Sequence, residues 1–245
     1  MEYDKYKLNI KEIIAGAFVW ALISAVLAYF FYKSVTAWVL IFLFLPIFFI
    51  FEKKILGEKR RWKLTLEFKE MIRILSVNLQ AGNSAENSFA YTLKEMQKIF
   101  GNKSDMTKEC ETIVKGLQNN IVLEKLISSF GERSHIEEIN EFAEVFSIAK
   151  RSGGNLKEII ADTAEVIDTK IELKREFKTL ISSKQFEHRL MCLIPFLIVG
   201  YIGVTSPGYF DVFYGNTKGV LIMSICLLVY IGAFVWGEKI ANIKI

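Results

Sequence analysis

Residues 13–32 read IIAGAFVWALISAVLAYFFY, twenty consecutive side chains without a charge. At about 1.5 Å of rise per residue, a helix of that length spans the roughly 30 Å of a bilayer's hydrocarbon core. A helix is what such a run must form there, because an open chain in lipid finds no water for its amides and carbonyls. Lys33 interrupts, and Ser34–Phe51 adds eighteen more uncharged residues. Towards the other end, Leu190–Phe210 adds twenty-one and Gly219–Gly237 nineteen. The first run lacks a small-residue cleavage site and leads at once into a second, so it reads as a span and not as a signal peptide. Pro195, Gly200, Gly203, Pro207 and Gly208 mark the third run as kinked or thin near its outer end, or as closely packed. The expectation is an all-α polytopic membrane protein with four transmembrane helices in two hairpins.

Between the hairpins the composition changes. Of the 245 residues, 52% are hydrophobic and 20 are Phe, yet 24% are charged. The charges are not spread evenly: 46 of the 58 lie between Glu52 and Arg189. The chain therefore divides into an N-terminal transmembrane hairpin (1–51), a charged middle (52–189) and a C-terminal transmembrane hairpin (190–245). That pattern excludes a simple soluble enzyme, a disordered tail and a secreted disulfide scaffold. Lys5, Lys7 and Lys11 precede the first span, a cluster from Lys53 to Lys63 follows the second, Lys184 and Arg189 precede the third, and Lys239 and Lys244 follow the fourth. The hairpin tips carry only Lys33 and Lys218. By the positive-inside rule both termini and the middle domain are cytoplasmic.

The middle carries a helical period and no strand-like alternation. Leu64, Phe68, Met71, Ile72, Leu75 and Leu79 form one stripe, ending at Gly82. Further stripes run over Phe89–Phe100 (stopped by Gly101), Met106–Leu117 (then the Asn119–Asn120 turn), Leu123–Phe130 (ended by Gly131) and Ile136–Phe146 (closed by Gly153–Gly154). A sixth begins near Leu156 and continues towards the third span. Ser134 with Glu137 fits a capping box, and Asn83 with Glu86 and Asn155 with Glu158 are similar starts. The expectation is a six-helix antiparallel bundle.

Catalytic chemistry is hard to find. His135 and His188 are 53 residues apart and share no ligand spacing; Cys110, Cys192 and Cys226 form no C-x-x-C pair. No phosphate loop or nucleophile elbow is present. The expectation is no catalytic, cofactor or metal site and no enzyme. Glu137, Glu138, Glu141 and Glu144 read as a solvated acidic face, with docking of a partner as its other use. The middle is not strongly basic, which argues against nucleic acid, and Lys59–Lys63 suits anionic lipid at the bilayer surface. No charge lies inside any apolar run, which lowers a transporter reading.

Leu75-Ser-Val-Asn-Leu-Gln-Ala-Gly-Asn-Ser84 resembles the "L-x-A-G-x-S" helix end of the type II secretion F family. Phe146-Ser-Ile-Ala-Lys-Arg-Ser-Gly-Gly-Asn-Leu156 is similar to that family's "G-G-x-L" entry to its last cytoplasmic helix. The charged Lys170–Lys184 helix feeding a Pro-containing span, and Pro207-Gly-Tyr-Phe210 after it, are similar too. The likeness runs from about Leu64 onward and is strongest to the tight-adherence (Tad) branch that serves Flp-type pili. One departure is Gly116, followed by Leu-Gln-Asn-Asn120 where the family usually has a Gly-x-Pro/Ser turn. Another is the single copy of the bundle.

The resemblance implies an inner-membrane platform of a pilus or secretion machine. A hexameric secretion ATPase would dock on the bundle, the Pro- and Gly-free stretch Leu156–Arg189 would act as a lever, and pilin subunits would be lifted from the lipid bilayer. The chain would pair with itself or a second platform subunit. The docking residues it implies are the turns Gly82, Asn83, Ser84 and Gly153, Gly154, Asn155, Leu156. Alternatives are a platform of a competence or sporulation machine, or a transporter or channel with no visible site.

Overall fold

In the computed structural model, residues 10–152, 155–206, 208–214 and 216–241 are described. Their regular structure is helical, with no strand among them: α1 (Ile10–Tyr32), α2 (Val35–Phe42), α3 (Leu45–Gln80), α4 (Ala85–Phe100), α5 (Asp105–Gln118), α6 (Leu123–Ser134), α7 (Glu137–Ser152), α8 (Leu156–Thr205) and α9 (Thr217–Ala241). A short 3₁₀ turn at Asp211–Phe213 precedes α9. The chain divides into two compact units, one containing Lys54–Leu173 and the other drawn from 8–53 and 174–245.

The first unit is a bundle of the later turns of α3, the whole of α4–α7 and the first turns of α8. Its core is aromatic at the centre. Phe68 of α3 meets Phe142 of α7 at 5.7 Å and Phe130 of α6 at 6.4 Å, and Phe146 of α7 meets Phe89 of α4 at 6.4 Å. Edge-on ring contacts of this kind add to the burial that drives collapse. From α8, Ile160, Ile167 and Ile171 are all but fully buried, at the i, i+7, i+11 spacing of one helix face. Ion pairs fasten the rim: Lys69 of α3 holds Asp168 at 3.0 Å and Glu172 at 3.1 Å on α8, and Arg133 of α6 grips buried Glu109 of α5 at 2.9 Å.

Helix ends follow local chemistry, with some departures from the expected limits. Gly82, Gly101 and Asn120 take positive φ (96°, 74° and 58°), where a side chain costs most and glycine or asparagine least. Gly131, expected to end its helix, lies inside α6. It is there because a Cβ would stand 2.5 Å from Asn140 Oδ1, so its absence lets α6 and α7 close together. The helix stops instead at His135, a non-glycine residue at φ 52°. Ser134 ends α6 and does not start α7; its hydroxyl donates to the Gly131 carbonyl at 2.8 Å and accepts from the Ile136 amide at 3.2 Å. The acidic face is a further correction. Lys170 of α8 pairs with Glu141 at 2.7 Å and Glu137 at 3.5 Å, and Glu138 is buried, so only part of that face is solvated.

In the second unit, α1, α8 and α9 are each long and apolar enough to cross a membrane. The second apolar run, expected as one span, is bent. α2 and α3 meet at 47° across Leu43–Phe44 and make a fourth span only if the bent pair is counted as one. Pro46 explains the break: it lies in the first turn of α3, where its missing amide costs nothing, and its ring forbids the helix to continue from Phe42. Pro195, by contrast, is held inside α8. A Cβ on Gly16 of α1 would overlap the Glu52 carboxylate of α3, and Trp20 stacks on Phe48 at 5.2 Å one turn along. At the hairpin tips Lys33 (φ 43°) reaches Asp211 at 3.4 Å and sits 4.8 Å from the centre of the Tyr214 ring.

Candidate functional site

Both turns singled out by sequence belong to the bundle, and the structure brings their described residues to one end of it. After α3, the Gly82 amide donates to the Leu79 carbonyl at 3.0 Å and the Asn83 amide to Asn78 at 3.3 Å, closing the helix. The Asn83 side chain also turns back, Nδ2 donating to the Asn78 carbonyl at 3.1 Å. The cap of α4 is Ser84, one residue later than the Asn83–Glu86 reading, its hydroxyl accepting from the Asn87 amide at 3.2 Å. The second turn differs. Gly153 and Gly154 lie outside the described residues. The Asn155 carbonyl takes the first bond of α8 from Ile159 at 3.0 Å, and its Nδ2 donates to Glu158 at 2.9 Å. Leu156 packs half-buried against the core.

The two turns approach through Lys157, whose ammonium stands 3.9 Å from the place a Cβ on Gly82 would occupy. A second lysine completes the end. Lys150, in the last turn of α7, holds Glu86 of α4 at 3.0 Å and Glu124 of α6 at 3.3 Å. The Glu86 carboxyl is held below its usual range, first by its own helix-terminal amide and then by the Lys150 ammonium. At Lys150 burial works to lower the pKa, and the hydrogen bonds to Glu86 and Glu124 outweigh it, leaving the group raised. Through Lys150, three helices share one tie.

Sequence reasoning missed Lys150 and Glu124. The available signal was that Lys150 follows Phe142, Phe146 and Ala149, on the stripe of α7 that faces the core. Among the described residues no group of three or more His, Cys, Asp or Glu could hold a metal.

A charged helical bundle inserted between apolar hairpins, with helices apolar enough to cross a membrane, defines a polytopic all-α membrane protein. The family model described as Type II secretion system (T2SS), protein F matches residues 71–203, from within α3 to the apolar end of α8. The chain belongs to that family, whose members are membrane platform proteins of secretion and pilus machines and generally interact with secretion ATPases and other platform subunits. No curated protein and no solved structure matches it.

Proposed function

We propose that this chain is the inner-membrane platform of a pilus or type II-like secretion machine, in the manner of the Tad branch. It couples a cytoplasmic hexameric ATPase to the extraction of pilin subunits and their addition to a filament. The observation that carries this reading is the course of α8: one helix of 50 residues begins at the bundle turn, contributes to the core, and runs on into an apolar segment through Pro195. Force applied at the bundle has a hydrogen-bonded path towards the lipid. The lysines flanking the apolar runs support a cytoplasmic bundle, termini on the same side, and limits at 1–51, 52–189 and 190–245 for hairpin, bundle and hairpin. The turns at Gly82–Ser84 and Gly153–Leu156 are the proposed start of the ATPase contact, and a sibling platform subunit or a second copy completes the assembly.

Crosslinking the tagged protein in its own membranes, followed by mass spectrometry of what co-purifies, tests the proposal. Recovery of a secretion ATPase and a platform subunit is the expected result. A stable homo-oligomer with neither, and with ion conductance in liposomes, overturns it.

A further inference from the structure

A groove of about 1130 Å³ lies between α6 and α7. The two helices are antiparallel, since Glu124 at the start of α6 meets Lys150 at the end of α7, and Gly131 packs on Asn140 at the other end. Small side chains are prominent in its lining: Ser128 and Ser129 of α6, and Ala143 and Ser147 of α7. From Asn140 to Arg151 it measures about 16 Å, room for about three turns of a helix.

Its charge is polarised. Glu132 and Glu144 occupy the half near the α6–α7 turn, and among the described residues neither has an ion-pair partner. This sets them apart on these two helices: Glu124 is held by Lys150, Glu137 and Glu141 by Lys170, and Glu138 is buried. Lys125 and Arg151 line the other half, beside the Lys150 tie, and among the described residues neither has an ion-pair partner. Between the halves Ile148 is 67% exposed, and Val122 at the rim 59%. Apolar residues exposed at a groove with polar ends are what a buried contact requires.

We infer that this groove is the seat of an amphipathic helix of the secretion ATPase, laid with its basic N-terminal end over Glu132 and Glu144 and its C-terminal end towards Lys125 and Arg151. A helix in that sense sets the positive end of its dipole on the carboxylates and the negative end on the cations. An apolar side chain in its middle turn covers Ile148, as in other helix-in-groove contacts. The inference rests on the platform reading and makes it specific: the contact that begins at the glycine turns continues down the groove.

The test uses the full chain solubilised from its own membranes and, as probe, the ATPase recovered with the unmodified protein. Two variants address the groove independently. Glu132→Lys with Glu144→Lys reverses the charge of one half, and Ser147→Trp fills part of the groove without changing charge. Both are expected to raise the dissociation constant about tenfold or more, and Lys98→Glu on α4, outside the groove, to leave it unchanged. Retained amide-exchange protection of α6 and α7 excludes unfolding as the cause. Equal binding by the unmodified chain and both folded variants overturns the groove and leaves the platform reading standing. Absence of any ATPase with the unmodified chain overturns both. A crosslinker at Ser129 that captures a second copy of this chain, and not the ATPase, also overturns the inference.

Discussion

The Glu67 carboxylate of α3 accepts a hydrogen bond from the Ser104 hydroxyl, the cap of α5, at 2.7 Å. Ser104 itself accepts weakly from the Thr107 amide at 3.5 Å, and Glu67 also receives the Met106 amide at 3.4 Å. A buried acid from one helix thus closes the N-terminus of another, where the orphan amides and the dipole favour negative charge.

Removing that acid leaves buried donors unmet. Glu67→Ala is expected to destabilise the bundle by about 1–3 kcal/mol and Ser104→Ala by about 1 kcal/mol. The double variant should lose less than the sum, because the two groups serve one cap. Urea unfolding of the detergent-solubilised protein, followed by circular dichroism, measures all three. Strict additivity would break the shared-cap account.

Asp105, next to Ser104 in the first turn of α5, is paired with Arg60 at 2.6 Å, a hydrogen bond that holds its carboxyl below the usual range. The folded state therefore binds fewer protons at this site than the unfolded chain. The stabilisation is present above the ordinary aspartate value of about 4 and drains away as pH falls towards the folded value. Asp105→Asn should be less stable at neutral pH and should lose less on going from pH 5 to pH 3. An acid limb as steep as that of the unmodified protein would remove Asp105 from the explanation.

Cys110 of α5 is fully buried in the bundle core, and burial pushes its thiol up to about 12. Thiolate is the reactive form, so the folded protein should not take up maleimide at Cys110 over hours at pH 7, and should do so promptly in denaturant. Peptide mapping of the labelled protein reads this directly.

Pro46 is assigned the 47° break between α2 and α3. Pro46→Ala should let the two helices run together. Spin labels at the exposed Val39 and Ile50 should then move apart by about 1 Å, the difference between a bent and a straight path at 1.5 Å per residue. An unchanged distance would place the cause elsewhere.

The lever role of α8 calls for a proline where it breaks the helix and nothing else. Ile171 is a poor choice because it is fully buried in the core, so that Ile171→Pro would also disturb the bundle. Thr179 is exposed, its hydroxyl donating to the Arg175 carbonyl at 3.0 Å. Thr179→Pro should leave membrane insertion and amide protection of α4–α7 intact and abolish filament assembly. Normal filaments in that variant would end the lever idea.

How far the sequence could be read depended on what each residue answers to. Gly82, Gly101 and Asn120 were legible as helix ends because positive φ is a local property with a local residue preference. Gly131 was not, since its glycine serves a close approach to Asn140 on the next helix, nine residues further along the chain and beyond the reach of a helix-end rule. His135 ends α6 at a positive φ that few non-glycine residues adopt, so a search for glycine at helix ends passes over it. The bend at Pro46 was missed because a count of uncharged residues gives proline no special weight. Of the site, the turns were legible from their glycines and asparagines. The link between them was not, because nothing in the spacing of Glu86, Glu124 and Lys150 announces that three helices end together.

That link has a chemical consequence. Lysine side chains are open to acetylation, which replaces the ammonium with a neutral amide. A single acetyl group on Lys150 would strip the cation from Glu86 and Glu124 at once and leave two carboxylates facing each other across the place it occupied. Repulsion would then push the start of α4 away from the start of α6, at the end of the bundle where both turns lie, with no change to the aromatic core beneath.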